Sequence, residues 1–260
     1  RMRWGDRDDE FVRPVHWIVL LFGEELIEAT ILGVKSDRYT RGHRFHHPDP
    51  IYLAEPDAYQ PILETEGRVL ADYNTRQEAI RAQVIEQANK LGGEALIDAD
   101  LLNEVTALVE WPVALSGRFD DAFLEVPSEA LVSSMQDHQK YFPVVDKNGQ
   151  LMPHFITIAN LDSSDPAQIQ SGNERVIRPR LADAAFFWNQ DRKQALAERA
   201  DKLRSMVFQK QLGTLFDKQE RIAELAGRIA GLLNSNQDEA ERAAKLCKCD
   251  LLTSMVYEFP

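Results

Sequence analysis

Short runs of β-forming apolar residues, separated by turn residues, dominate the first 160 positions of the chain and predict antiparallel strands. Gly23-Glu24 can form the turn of one hairpin, and Asn148-Gly149 favours the positive φ angles of a second. Trp111-Pro112 should end the helix before it and begin an extended segment. The predicted strands are Val15–Phe22, Leu26–Val34, Arg68–Tyr73, Val113–Phe119, Tyr141–Val145 and Leu151–Ala159.

Helical periodicity lies between these strands and becomes dominant towards the end of the chain. Asn74 can cap a helix, because its side chain is placed to accept backbone N–H bonds and Gln77 stands at the capping-box position. This helix should end at Gly92-Gly93. Further helices are predicted at Asp100–Glu110, at Ser128–Asp137, over the apolar stripe from Leu215 to Leu233 and, after a polar break, from Ala243 to Met255.

The order of these elements predicts an α+β fold, because the chain lacks the regular βαβ alternation of a doubly wound sheet. The polar segment Asp162–Gly172 indicates a surface loop, and the last 60 residues are expected to be all helical. We therefore expect a mixed, largely antiparallel sheet domain with helices over residues 1–195. A helical domain should occupy residues 196–260.

The amino-acid composition indicates a globular protein without a membrane-spanning segment. Hydrophobic residues make up 44% of the 260 positions and charged residues 28%, which is ordinary for a globular protein. The apolar run Trp17–Phe22 is far shorter than the roughly 20 residues that span a bilayer, so no membrane contact is expected. Cys247 and Cys249 stand too close for ordinary disulfide geometry, which favours the cytoplasm. Arg1 and Pro260 suggest that the sequence is cut from a longer polypeptide.

Charge is unevenly distributed. The net charge of −12 argues against a general affinity for nucleic acid, but Lys35–His47 carries a local charge of +3 and Ser171–Arg180 one of +2. Such basic islands suit localised RNA contact, and they also suit an ordinary solvated surface. For the second island, buried ion pairs with Glu174 or Asp183 are a further alternative.

No motif indicates catalysis. Phosphate-binding Gly-rich loops and paired Cys-x-x-Cys units are absent from the sequence. His43, His46 and His47 make a poor metal site, because adjacent residues of an extended segment point apart. Ser133, Ser134, Asp137 and His138 offer the residue types of a hydrolytic triad without a nucleophile-elbow pattern.

A mixed polar and aromatic cluster is predicted around His138-Gln139-Lys140-Tyr141-Phe142, which joins a polar stretch to a strand. Its imidazole, ammonium and phenol groups could gather at one end of a sheet. There they could stack on unpaired bases and meet phosphates. The alternative is that Tyr141 and Phe142 pack in the core and only Lys140 is solvated.

Several short motifs, taken in order, resemble the middle of the bacterial glycyl-tRNA synthetase β subunit. Each is weak alone, but their ordered occurrence along the chain is specific. They are Met2-Arg3-Trp4-Gly5, Phe11-Val12-Arg13-Pro14-Val15-His16, Gly42-His43-Arg44-Phe45, Val109-Glu110-Trp111-Pro112-Val113, His138-Gln139-Lys140-Tyr141-Phe142-Pro143-Val144, Gly172-Asn173-Glu174-Arg175 and Leu212-Gly213-Thr214-Leu215.

The resemblance implies an enzyme of two α and two β subunits, in which the α subunit makes glycyl-adenylate from glycine and ATP with Mg²⁺. The β subunit mainly handles tRNA-Gly, so no cofactor and no catalytic residue is expected in this chain. It further implies an α+β domain similar to one in the phenylalanyl-tRNA synthetase β chain, followed by an HD-like helical domain. The candidate tRNA contacts are Arg41, His43, Arg44, Lys140, Arg175, Arg178 and Arg180.

The HD resemblance can be tested at the metal-binding pair of that fold. The best match is Cys249-Asp250, which keeps the aspartate and replaces the histidine by cysteine. We therefore expect no metal and no phosphohydrolase activity. Two other functions compete with tRNA handling: a structural scaffold for subunit or domain assembly, and a metal-dependent hydrolase.

Overall fold

The computed structural model describes residues 2–259 and shows a mixed α/β protein with several small sheets. The described residues form two compact units, of which the first comprises residues 2–118 and 135–174 and the second residues 119–134 and 175–259. Compact units need not coincide with evolutionary domains, so the expected division into residues 1–195 and 196–260 stays a prediction.

The strands are short except in one sheet. They are β1 Ile18–Val19, β2 Leu21–Phe22, β3 Glu25–Leu26, β4 Thr30–Ile31, β5 Val34–Asp37, β6 Tyr39–Arg41, β7 Pro50–Tyr52, β8 Glu94–Ala95, β9 Val113–Arg118, β10 Phe142–Val145, β11 Leu151–Ala159, β12 Val207–Gln209 and β13 Gly213–Thr214.

The α-helices vary from 5 to 26 residues. They are α1 Tyr59–Thr65, α2 Tyr73–Lys90, α3 Ala99–Leu108, α4 Ser128–Ser133, α5 Pro166–Asp191, α6 Leu215–Leu232, α7 Gln237–Leu246 and α8 Ser254–Glu258. A π-helical turn, Ser134–His138, follows α4, and 3-10 helices form at Pro56–Ala58, Asp121–Glu125, Leu196–Ser205 and Cys249–Leu252.

The core of the first unit is an antiparallel sheet in the order β8-β10-β11-β9, covered by α2 and α3. The sequence predicts an apolar stripe of Ile80, Val84, Ile85 and Ala88 on α2; Ile80, Val84 and Ala88 are fully buried, whereas Ile85 is 45% exposed, so its place in the stripe is wrong. The three buried residues pack with Phe142 and Ile156 of the central strands. The predicted hairpin β10–β11 is confirmed, with Gly149 at positive φ in its turn.

The N-terminal segment is more broken than its apolar pattern predicts. The turn at Gly23-Glu24 does join β2 to β3, but the predicted strand Leu26–Val34 is wrong. Leu32 and Gly33 both have positive φ and form a second turn between β4 and β5. The first predicted strand is also interrupted, since β1 pairs in parallel with β5 while β2 pairs with β3.

The strand predicted at Arg68–Tyr73 is also wrong. Arg68 has a φ of 54°, and the Arg76 guanidinium donates to the carbonyl of Leu70. The N–H groups of Val69 and Leu70 donate to the carbonyls of Leu63 and Glu110, both at 2.9 Å, and no strand forms in this stretch. The cap of α2 is Asp72, not Asn74, because the Asp72 carboxylate accepts from the Thr75 N–H at 2.7 Å. That contact holds the pKa of Asp72 below its usual value.

The second unit is largely helical. Thr214 and Asp217 form a reciprocal capping box at the start of α6, and α6 packs on α7. The expectation of an all-helical end is wrong in one place, where β12 and β13 form a small hairpin. The predicted loop Asp162–Gly172 is likewise only partly correct, because α5 begins at Pro166. Within residues 2–259, no helix combines the length and apolar character needed to cross a membrane.

Gly117 provides a test of the sheet packing. A Cβ at this position would lie 2.3 Å from Cζ of the fully buried Phe155 ring, so we expect Gly117→Ala to lower the free energy of unfolding by about 1–3 kcal/mol. Gly172, in α5, has open space at its Cβ position, and Gly172→Ala should stabilise by up to about 1 kcal/mol. Urea unfolding of the wild type and both variants measures these changes. Equal unfolding midpoints for the two variants would contradict the predicted packing of Gly117 against Phe155.

Candidate nucleic-acid interface

The loop that follows β6 begins with a close backbone crossing. The Cβ of a residue larger than glycine at position 42 would lie 2.7 Å from both Cα and O of Gly67. The His43 N–H donates to the Gly67 carbonyl at 2.6 Å. Gly42 therefore lets the loop Arg41–Pro48 lie directly against the chain that leaves α1.

His43 fixes this loop from inside. Its side chain is 1% exposed, and Nε2 lies 2.6 Å from the carbonyl oxygen of Asn160. A carbonyl can only accept, so Nε2 carries the proton and Nδ1 is free to accept. Nδ1 lies 3.3 Å from the Phe45 N and 3.4 Å from the His46 N. These contacts assign His43 to positioning the loop, while its predicted RNA contact has no exposed atom to support it.

Asn160 joins this loop to a second motif. Its side-chain oxygen accepts from the backbone N–H groups of Glu110 at 2.7 Å and Trp111 at 2.9 Å. Gln83 extends the arrangement, since its amide donates to the Pro112 carbonyl and accepts from the Ala114 N–H. Three segments that are distant in sequence are thus tied together at one polar node.

The outer side of the loop presents cations and an aromatic ring. Arg41 and Arg44 are exposed, and Phe45 is 72% exposed. Arg41 donates to the Pro48 carbonyl at 3.3 Å, whereas the Arg44 guanidinium has no hydrogen-bond or ion-pair partner in the described part of the chain. The anchored turn therefore holds these side chains towards solvent.

Arg68 adds a cation that sequence reasoning missed. It directly follows Gly67, the residue that contacts Gly42, and its guanidinium lies 5.3 Å from the centre of the Trp111 ring. The sequence predicts a strand here, whereas Arg68 has a positive φ. No sequence signal of this proximity is evident.

Lys140 and Tyr141 have different environments. Lys140 forms an ion pair with Glu104 at 2.8 Å. Tyr141 is buried, stacks on Phe155 with ring centres 4.5 Å apart, and donates its hydroxyl proton to Asn173 Oδ1 at 2.6 Å. Burial raises the pKa of Tyr141 to about 12. The alternative in which Tyr141 and Phe142 belong to the core is confirmed.

The second basic island lies on α5, in the second unit. Arg175, Arg178 and Arg180 are exposed. The alternative of buried ion pairs with Glu174 or Asp183 is wrong, because all three arginines are exposed. The Glu174 carboxylate accepts instead from the Arg118 N–H and the Gln170 side chain, both at 3.0 Å. At about 100° per residue, Arg175 and Arg178 lie about 60° apart, whereas Arg180 lies about 140° from Arg175. Only the first two share a face.

The position matched to the HD motif is buried. Cys249 is fully buried, with Sγ 3.9 Å from Gln219 Oε1 and 3.4 Å from the Lys245 carbonyl. Burial, followed by the neighbouring Asp250 and Cys247, raises the pKa of the Cys249 thiol. Residues 2–259 contain no group of three or more His, Cys, Asp or Glu side chains arranged to hold a metal ion.

Comparison with known proteins identifies the family. The family model described as glycyl-tRNA synthetase beta subunit matches residues 1–260. The chain belongs to the glycyl-tRNA synthetase β subunit family. It is 55% identical over 260 residues to the glycine--tRNA ligase beta subunit of Hahella chejuensis and 56% identical over 260 residues to that of Marinobacter nauticus. In both comparisons the match covers 100% of this chain and 38% of the relative.

The short motifs on which the glycyl-tRNA synthetase resemblance rested have two kinds of role in the structure. Tyr141, Asn173 and Glu174 bond within the first unit and support its architecture. Gly42 and His43 are also structural, but they support a turn whose next two residues, Arg44 and Phe45, are exposed. The Gly42–Phe45 motif is therefore the candidate interface of this family member.

Asn160 should matter for stability. Asn160→Ala removes the acceptor of two backbone N–H groups, and we expect it to lower the free energy of unfolding by about 1–3 kcal/mol. Asn148→Ala, which removes an exposed side chain of the β10–β11 turn, is the matched control and should change it by about 0.5 kcal/mol or less. Denaturant unfolding measures the free energy of unfolding of both variants. Equal losses of stability would argue against a structural role for the hydrogen bonds of Asn160.

Proposed function

We propose that this chain is a tRNA-handling region of the β subunit of a heterotetrameric glycine–tRNA ligase. The observation that carries the proposal is the family match over the whole chain, joined by an anchored loop that presents the exposed cations Arg41 and Arg44. The α subunit would perform the ATP- and Mg²⁺-dependent adenylate chemistry, so the region alone should be inactive. A second β subunit and tRNA-Gly complete the proposed cytoplasmic assembly.

The geometry ranks the candidate contacts. Arg41 and Arg44 are the strongest in the first unit, because they are exposed on a turn that His43 holds in place. In the second unit Arg175 and Arg178 are the strongest, because they share one exposed helix face. Lys140 is engaged with Glu104, and Arg180 lies on a different face, so both remain weaker candidates.

Arginine is suited to this role because its planar guanidinium binds phosphate in a bidentate manner. On a chain of net charge −12, such contacts would act locally and not as a general attraction for RNA. The domain prediction stays part of the proposal: an α+β domain over residues 1–195, similar to one in the phenylalanyl-tRNA synthetase β chain, and a metal-free HD-like segment over residues 196–260.

Salt dependence tests the phosphate contacts. We expect Arg41→Ala and Arg44→Ala, in full-length β assembled with α, to weaken tRNA-Gly binding. Affinity falls as salt rises, and each lost phosphate contact should reduce the steepness of log affinity against log salt by about one. Arg81→Ala removes the same charge from the exposed face of α2 and is the matched control. Labelled tRNA is titrated at several salt concentrations, and glycylation rates are measured in parallel. The assignment is wrong if all three variants match the wild type.

A specific observation also favours the scaffold function. Three apolar side chains of α6 and that of its C-cap residue are more than half exposed, and the spacing of i, i+4 and i+7 places the three helical ones on one face. The opposite face of α6 is already buried through Ala223, Gly227 and Ala230. The exposed residues, here called the α6 stripe, are Leu225, Ile229, Leu232 and Leu233.

We propose that the α6 stripe is covered by another segment of the same polypeptide. The chain spans about 38% of the length of the two relatives named above, so such a subunit has ample further sequence. A stable interface between separate proteins takes about 20–30 residues from each side, and the stripe offers four. A covalently connected segment can bind so small a surface, because its effective concentration is high.

Cysteine labelling tests whether a segment of the same polypeptide covers the α6 stripe. In full-length β alone, we expect Ile229→Cys to react with a maleimide at least tenfold more slowly than Arg228→Cys, a neighbour on the same helix with 73% side-chain exposure. Mass spectrometry of the labelled peptides measures both rates. Equal rates in β alone would overturn the proposal. Protection that appears only with α, or only at high β concentration, would assign the stripe to the α subunit or to a second copy.

A further inference from the structure

Phe45 combines high exposure with a fixed backbone. A single exposed aromatic residue on a protein surface needs no explanation by itself. Here, however, its own N–H bonds to His43 Nδ1, and the His47 N–H donates to the His43 carbonyl at 2.8 Å. The His46 ring also accepts from the Asp162 N–H at 3.0 Å. Phe45 is therefore held outwards by a turn that is tied down on both sides.

The surroundings of the ring are polar. Arg44 precedes it, Arg41 and Pro48 are exposed on the same loop, and the ring centre lies 6.1 Å from that of the His43 imidazole. An aromatic residue that anchors a protein interface normally lies in an apolar patch. Phe45 instead lies on a loop whose other exposed side chains include the cations Arg41 and Arg44.

We propose that Phe45 is a stacking site for an unpaired nucleobase, with Arg44 and Arg41 placed to contact the flanking phosphates. Every base offers a π face to an aromatic ring, and arginine beside the ring adds the charge that the nucleotide backbone requires. In a duplex both faces of a base are occupied by neighbouring pairs. The ligand is therefore a single-stranded loop or end of an RNA.

This inference deepens the proposed function, because it rests on RNA binding by the same loop and names the part of the RNA that is bound. It also explains the anchored backbone. A ring that is already fixed in its binding position loses little conformational freedom when a base stacks on it. The buried His43 and the bond to Asn160 would thus contribute to RNA affinity without touching the RNA.

The test compares four variants of full-length β assembled with α: Phe45→Ala, Phe45→Leu, Phe45→Trp and Arg44→Ala. The probes are labelled tRNA-Gly, a single-stranded oligonucleotide and a fully paired RNA. Phe45→Ala and Phe45→Leu should each weaken tRNA and single-strand binding by roughly 5- to 150-fold, because both remove the π face. Phe45→Trp should retain binding, and binding of paired RNA should be unchanged by any Phe45 variant.

Salt dependence separates the two proposals. Loss of Phe45 should leave the steepness of the salt dependence unaltered, whereas Arg44→Ala should reduce it by about one. If Phe45→Leu binds as well as the wild type, the ring acts through apolar contact and the stacking site is wrong. If Arg44→Ala weakens binding while Phe45→Ala does not, RNA binding stands without stacking. If neither changes binding, the loop is not the RNA site.

Discussion

The three hydrogen bonds that Asn160 accepts fix the relative positions of segments far apart in sequence. Its carbonyl accepts from His43, 117 residues away, and its side-chain oxygen accepts from Glu110 and Trp111, 50 and 49 residues away. Bringing such distant segments together costs chain entropy, which buried and well-paired contacts can offset. The position of the loop Arg41–Pro48 therefore depends on a residue that follows the last strand of the main sheet.

Local signals made part of this fold predictable. Helix α2 and the hairpin β10–β11 followed from periodicity and turn chemistry, which act within a few residues. The strand prediction at Arg68–Tyr73 was wrong because the Arg76 side chain donates to the Leu70 carbonyl and because Asp72 caps α2 within the predicted strand. His43 stands between two arginines in a basic stretch that suggests an exposed surface. Its burial depends on the carbonyl of Asn160, which no local pattern reveals.

The candidate site was predictable in its residue types but not in its roles. The motif Gly42-His43-Arg44-Phe45 carries two structural residues, of which His43 is buried, followed by two exposed ones. Sequence reasoning selected Arg41, His43 and Arg44 and did not select Phe45. Large apolar residues are generally expected inside a protein. Backbone anchoring reverses that expectation, since a fixed turn can hold an aromatic ring in solvent where a mobile loop would fold it against the surface.

The unpaired arginines are informative because acidic partners are abundant. The chain has 42 acidic and 30 basic residues, and Arg81, Arg204 and Arg228 each pair with an acid three or four positions away. Arg178 could pair in the same way with Glu174, but that carboxylate is occupied by the Arg118 N–H and the Gln170 amide. Arg44 stands on a turn without a helical neighbour. Within the described residues both cations are thereby available to an external anion, and the proposed tRNA binding would supply phosphate.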